Sequence, residues 1–385
     1  MGTLHGHQTM ANSVRTFLAR SMMLATLSTL SIFVNAQDSA PNPFKDIQFS
    51  GFLDVYYQFS GNNPPSGRLL PLRNFDVRDN SFSISAALLS LSKQATADSR
   101  FGFTVNLLAG KVADIETAGE PNDPNGLKHL HQGYVTYLAP DGMTVDLGKF
   151  QTWIGLESPF AVYNDLYSLS FVFTLGQPTY HAGLRVLKPF GSTTAGLYLV
   201  NGINEAEDAN RSKSYGASLS HTFGKVVATL NYYGGNEGSN TGPNGSFNTG
   251  QSNWNLGDLV LSTQLTPQLK LSANADYASI DGLKAGASNG HFTSYDVVAR
   301  YQFTKNFSVS ARYDNFFDYD GARTGIANGT RLNSGVVGCE YLTGSQSVLR
   351  LEVRHDEANR RVFESDDAVG RRARTTFTLA HIFKF

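Results

Sequence analysis

The sequence predicts an all-β protein, a transmembrane antiparallel up-and-down β-barrel of about sixteen strands, and three observations carry that prediction. From residue 46 onward the chain falls into segments of about ten residues with alternating apolar and polar side chains, the length and pattern of tilted strands crossing an outer membrane. The connections alternate between short and long. The last segment alternates too and ends on an aromatic residue.

The first segment sets the pattern: Phe49, Gly51, Leu53, Val55, Tyr57 and Phe59 oppose Gln48, Ser50, Asp54, Gln58 and Ser60. Side chains in a strand alternate faces, so one side is greasy and the other polar. Later segments repeat it, as where Leu269, Leu271, Ala273, Ala275 and Tyr277 oppose Lys270, Ser272, Asn274 and Asp276. Strands are expected near 47–60, 80–92, 100–108, 130–138, 143–150, 180–188, 194–201, 212–223, 226–234, 254–265, 269–280, 291–303, 307–316, 331–342, 347–356 and 373–385. In the last, Phe377, Leu379, His381, Phe383 and Phe385 share a face, with Ile382 an apolar exception on the other.

Short connections such as 139–142, 224–225, 266–268, 304–306 and 343–346 alternate with long ones at 61–79, 109–129, 151–179, 202–211, 235–253, 281–290, 317–330 and 357–372. Outer-membrane barrels have short periplasmic turns and long external loops. A soluble sandwich has no reason to put every long loop at one end. Aromatics beside the short turns, such as Tyr301, Phe303 and Phe307, suit an interfacial girdle.

Composition agrees. The 385 residues are 41% hydrophobic and 12% aromatic but only 16% charged, with 37 glycines, so Ser, Thr, Asn and Gly supply the polarity. That mixture suits strands and tight turns. With 31 basic against 32 acidic residues, nothing suggests a nucleic-acid partner. Cys339 is the single cysteine, which rules out an internal disulfide and makes a cysteine zinc site implausible.

Residues 1–36 read as a secretory signal peptide, with Met10 an alternative start: Arg15 and Arg20, an apolar stretch Met22 to Val34, and the exit Val34-Asn35-Ala36. Residues 37–45 would be a short periplasmic segment and 46–385 the barrel. No cysteine follows the expected cleavage point, which argues against a lipid anchor. Beyond this stretch no apolar run reaches the ~20 residues of a spanning helix, so only a closed barrel could cross a membrane.

The run Leu147-Gly148-Lys149-Phe150, then Gln151-Thr152-Trp153-Ile154-Gly155-Leu156-Glu157, Tyr167-Ser168-Leu169-Ser170 and Gly176-Gln177-Pro178-Thr179-Tyr180-His181-Ala182-Gly183, resembles the β-barrel porins of the OmpL-like group. The likeness covers most of the mature chain in layout but only 143–186 in motif. Leu169 stands where members of that group often carry arginine, so a role for that arginine does not transfer. The resemblance implies a Gram-negative outer membrane, delivery by the barrel assembly machinery through the signal Phe383 and Phe385, contact with outer-membrane lipid, and no cofactor. Likeness to other sixteen-stranded porins implies a homotrimer.

Connection 151–179 is the longest and most apolar, a poor fit to solvent. It is expected to fold inward and narrow a lumen that sixteen strands would otherwise leave wide. The candidate pore-lining residues are Arg300, Arg312, Arg350 and Arg354 with Asp296, Asp314, Glu340 and Glu352, forming a wall opposite the acidic loop residues Glu157 and Asp165. Such opposed charge would set ion selectivity. Equally, these groups could simply pair on a wet wall at ~0 to 1 kcal/mol per pair.

Enzyme signatures are thin: there is no Gly-rich phosphate loop, no His-Glu-x-x-His and no Gly-x-Ser-x-Gly elbow. A barrel lipase would need neighbouring outward histidine and serine, and His221 and His381 are expected on distant strands. His129 and His131 could share a face as a weak metal pair, although a rim position that binds nothing is the commoner reading. Glu120 to Gly126 reads as a proline-rich turn, not a calcium loop. The expected function is a porin for passive diffusion of small hydrophilic solutes and ions, with no catalysis. The alternative is a non-conducting barrel whose loops bind a surface partner, with an outer-membrane hydrolase a distant third.

Overall fold

The computed structural model describes residues 46–65, 69–118, 127–208, 210–237, 252–282, 289–366 and 369–385. The expected signal peptide, the 37–45 segment and the proline-rich run at 120–126 lie outside these residues.

Sixteen antiparallel strands close into one barrel in chain order. They are β1 (Gln48–Ser60), β2 (Ser81–Lys93), β3 (Phe101–Ala109), β4 (Leu130–Leu138), β5 (Thr144–Gln151), β6 (Tyr180–Phe190), β7 (Thr193–Val200), β8 (Ser214–Phe223), β9 (Val226–Glu237), β10 (Ser252–Gln264), β11 (Leu269–Gly282), β12 (Gly290–Gln302), β13 (Phe307–Asp318), β14 (Thr330–Leu342), β15 (Ser347–Ala358) and β16 (Ala373–Lys384). The expected segments match these closely, with β9 running three residues further, to Glu237. A one-turn helix the sequence pattern did not announce, α1 (Lys111–Glu116), follows β3.

The apolar faces point outward. Phe49, Phe82, Leu147, Leu197, Leu219, Leu351 and Phe377 are all exposed around the barrel wall. An apolar surface this continuous has no place in water and fits lipid. At the β12–β13 turn, Phe303 packs edge-on to Tyr301 at 4.7 Å and lies 5.8 Å from Phe307.

The ring closes where β16 meets β1, with Leu53 opposite Phe383 and Tyr57 opposite Leu379. Beyond the strand, the backbone N–H of Phe385 donates to Gly51 O at 3.0 Å and Gly51 N–H donates to Phe385 O at 2.9 Å. The Phe385 ring lies so close to Gly51 that a Cβ there would sit 2.5 Å from its Cζ.

The inward faces depart from the polar pattern. Phe52, Tyr56, Leu88, Leu108, Trp254, Leu256, Phe292, Phe316 and Ile382 point into the barrel and are buried. Two apolar clusters result, one around Trp254, Phe292, Phe316 and Phe171, the other around Phe52, Leu88, Phe160 and Ile382. The long connections return into the lumen and need an apolar seat there. Ile382, an exception in the strand pattern, belongs to that seat.

Candidate functional site: the lumen and its inward segment

Segment 151–179 lies against the inner wall and is held there mostly through its main chain. Gly155 N–H donates to Asp258 and Leu156 N–H to Asn274, each at 3.1 Å. Glu352 accepts from Tyr167 N–H at 2.6 Å and Ser168 N–H at 3.1 Å, and Asp314 accepts from Phe171 N–H at 3.1 Å. Arginines take the carbonyls. Arg350 donates to Ala161 O, Asn164 O and Leu166 O at 2.7, 2.8 and 3.1 Å, Arg312 to Ser168 O at 2.7 Å, and Arg354 to Leu169 O. A segment with only short helical turns of its own must find partners for its other buried amides, and the wall's charged groups supply them.

The motif residues shape this segment. Gly155 has φ +93°, and a Cβ there would come within 2.0 Å of Gln177 Oε1, so glycine permits both the backbone and the approach of Gln177. Gln177 in turn donates to Asn274 and Asp276 at 2.8 and 2.9 Å. Glu157 accepts from Ser170 N–H and Oγ at 2.8 and 2.6 Å, and the Tyr167 hydroxyl donates to Asp54 at 3.1 Å. A π-helical turn at Val172–Gly176 ends the segment. Trp153 stacks on Tyr198 at 3.8 Å and fixes the other end.

The ten expected lumen residues all lie on the inner side, but the arrangement differs from an acidic loop facing a basic wall across water. Glu157 pairs with Arg312 at 2.6 Å, and Asp165 lies 2.9 Å from Lys270 and 3.8 Å from Arg300. Loop and wall touch because the segment crosses the lumen. Arg312, Arg354, Asp296, Asp314 and Glu352 are consequently buried. Asp296 has no hydrogen-bond partner for either carboxylate oxygen among the described residues. Arg300 and Glu340, 2.7 Å apart, and Asp165 keep some contact with water.

Other connections also turn inward, which the sequence reading missed. Arg73, before β2, donates to Asp76 at 2.7 Å and to Thr376 at 2.6 Å, and all but Thr376 belong to a connection expected outside. Arg323 donates to Leu175 O and lies over the Trp254 ring at 4.9 Å; burial pushes its guanidinium down to about 9, against the opposing pull of Asp318. The missed wall residues Asp146, Arg185, Asp258, Asn274, Asp276 and Lys270 carried the same signal as those found, a charged or amide side chain on the polar face of an alternating strand.

His129 and His131, weighed as a conceivable metal pair, have separate partners. His131 is buried with Nδ1 2.8 Å from Glu116, whereas the His129 ring is 2.9 Å from Leu108 O. Among the described residues no group of His, Cys, Asp and Glu is disposed to hold a metal. His221 and His381 stand on distant strands, as expected, and His381 has a serine neighbour, with Ser347 Oγ 2.7 Å from its Nε2. The same pairing joins His221 to Thr193 at 2.6 Å and His355 to Thr375 at 2.8 Å. Three such pairs, two with threonine, read as cross-strand hydrogen bonding on the outer wall.

Residues 46–385 match the family described as "Putative beta-barrel porin-2, OmpL-like". The chain belongs to that family. Family and fold make it an outer-membrane barrel and a channel type more than an enzyme type. Solved porin-like barrels are similar across 88% of this chain. They include an anion-selective porin from Comamonas acidovorans (TM-score 0.61, 11% identity, 99% of that chain covered) and the outer-membrane channel DcaP of Acinetobacter baumannii (0.61, 12%, 97%). OmpT of Vibrio cholerae, solved in a trimer form, gives 0.60 at 11% identity over 99% of its chain. At such identity the likeness is one of fold. No curated protein matches the chain.

Proposed function

We propose that this barrel is a Gram-negative outer-membrane porin through which small hydrophilic solutes and ions diffuse passively, narrowed by segment 151–179. The observation that supports it is the anchoring of that segment across the barrel interior by residues from four wall strands: Asp258 (β10), Asn274 (β11), Arg312 and Asp314 (β13), and Arg350, Glu352 and Arg354 (β15). A constriction must hold its shape while water and ions pass, and this one is braced by charge-assisted bonds. Export would use residues 1–36, assembly Phe383 and Phe385, and the mature protein would be a homotrimer.

The refolded protein in a planar bilayer should give reproducible unit conductance steps. Deleting 158–165 from the segment should raise the unit conductance, and an unchanged value would remove the constriction from the account. The inward turn of the Arg73 and Arg323 connections favours a second reading, a plugged barrel that acts through its outer loops. Complete absence of channel steps would select it.

A further inference from the structure

The lumen charges differ in which of them reach water. At mid-height Arg312 and Arg354 have side chains 0% and 1% exposed. They serve the inward segment and would not meet a passing ion. Closer to the short-turn rim stand three other pairs: Arg185 with Asp146 at 2.8 Å, Lys270 with Asp165 at 2.9 Å, and Arg300 with Glu340 at 2.7 Å.

Strand register places their wall members toward the short-turn end. Asp146 faces Arg185 across β5–β6, Lys270 faces Arg300 across β11–β12, and Glu340 faces Arg350 across β14–β15, all near the short turns. In each pair the cation is the better exposed partner: Arg185 20% against Asp146 5%, Lys270 39% against Asp165 17%, Arg300 20% against Glu340 12%. Arg350, which also pairs with Glu340 at 2.6 Å, is buried and belongs with the cations that brace the segment.

We propose that Lys270, with Arg185 and Arg300, forms the selectivity filter of this barrel and that the filter favours small anions bearing carboxylate or phosphate groups. The inference rests on the pore reading above and names the substrate class of that same lumen. A conduit walled by low-dielectric protein focuses the field of whatever charge faces the water, and here ammonium and guanidinium ends do so while their carboxylates are drawn back toward the wall. Guanidinium groups also match carboxylate and phosphate oxygens with paired N–H donors.

Reversal potentials in a potassium chloride gradient test it, with folding of each variant checked by heat-modifiable gel mobility. The wild type should prefer chloride. Lys270→Glu should lower the chloride-to-potassium permeability ratio about fivefold, the factor that ~1 kcal/mol of altered charge interaction in water produces. Asp165→Asn should move the ratio the other way. Lys305→Glu, the same charge change on the exposed β12–β13 turn, should leave it in place. If Lys270→Glu does not fold, Lys270→Gln and Asp165→Asn carry the test. A cation-preferring wild type, or folded variants with an unshifted ratio, would overturn the filter while leaving the pore reading intact. A wild type without channels would overturn both.

Discussion

Arg312 shows what a single inward charge does in this barrel. Its guanidinium bonds Glu157, Asp314 and the carbonyl of Ser168 at once, joining wall and segment. Its inward direction followed from strand alternation. Its partners did not, because Ser168 and Glu157 are local residues of a segment whose path no pattern announces. Arg312→Ala would strand two buried carboxylates, and breaking a buried pair from one side costs about 3–5 kcal/mol. The urea midpoint of the refolded barrel should therefore fall sharply, and a wild-type midpoint would refute the bracing role. Gly155→Ala should act more locally: the added methyl displaces Gln177 from Asn274 and Asp276 and strains a positive φ, so unit conductance should change with the barrel still folded.

Among the elements, β16 combines two duties. Its outward Phe377, Leu379 and Phe383 meet lipid, as the alternation requires, while buried Ala380 and Ile382 join the apolar seat inside. The final residue extends the closure, since Phe385 exchanges backbone hydrogen bonds with Gly51 on β1. Gly51→Val would place a branched side chain against the Phe385 ring and Leu88 O, where even a single Cβ comes within 2.5 Å and 2.4 Å. We expect that variant to close poorly and to give a reduced yield of the heat-modifiable form. A wild-type yield would show that the strand can close without this corner. Phe52 and Tyr56 illustrate what alternation hides: they occupy inward positions of β1, and their aromatic character makes sense only once Phe160 at 5.2 Å and Tyr167 at 5.6 Å are seen opposite them.

For the whole molecule, closure leaves no strand edge open, since each strand is paired on both sides. In lipid that condition is required of any sheet, because unpaired backbone groups there have no water to bond. The native barrel should consequently resist detergent at room temperature and migrate anomalously on a gel until boiled. A band unchanged by heating would contradict a closed barrel.

The fold was legible in the linear sequence because a lipid-exposed strand is specified locally: residue by residue, one face must be apolar, and a turn must follow every ten or so positions. The sixteen segments, their alternating short and long connections and the aromatic end were all written there, as was the polar character of much of the lumen. What tertiary structure alone decided is which inward groups meet solvent. Arg312 and Lys270 look alike along their strands, and one is sealed beneath the inward segment while the other keeps 39% of its side chain exposed beside it. That distinction depends on contacts between Glu157, Asp165 and wall strands more than a hundred residues away. Long-range partners of this kind leave no periodic trace in the chain, because each is a single side chain meeting a single turn of an irregular segment.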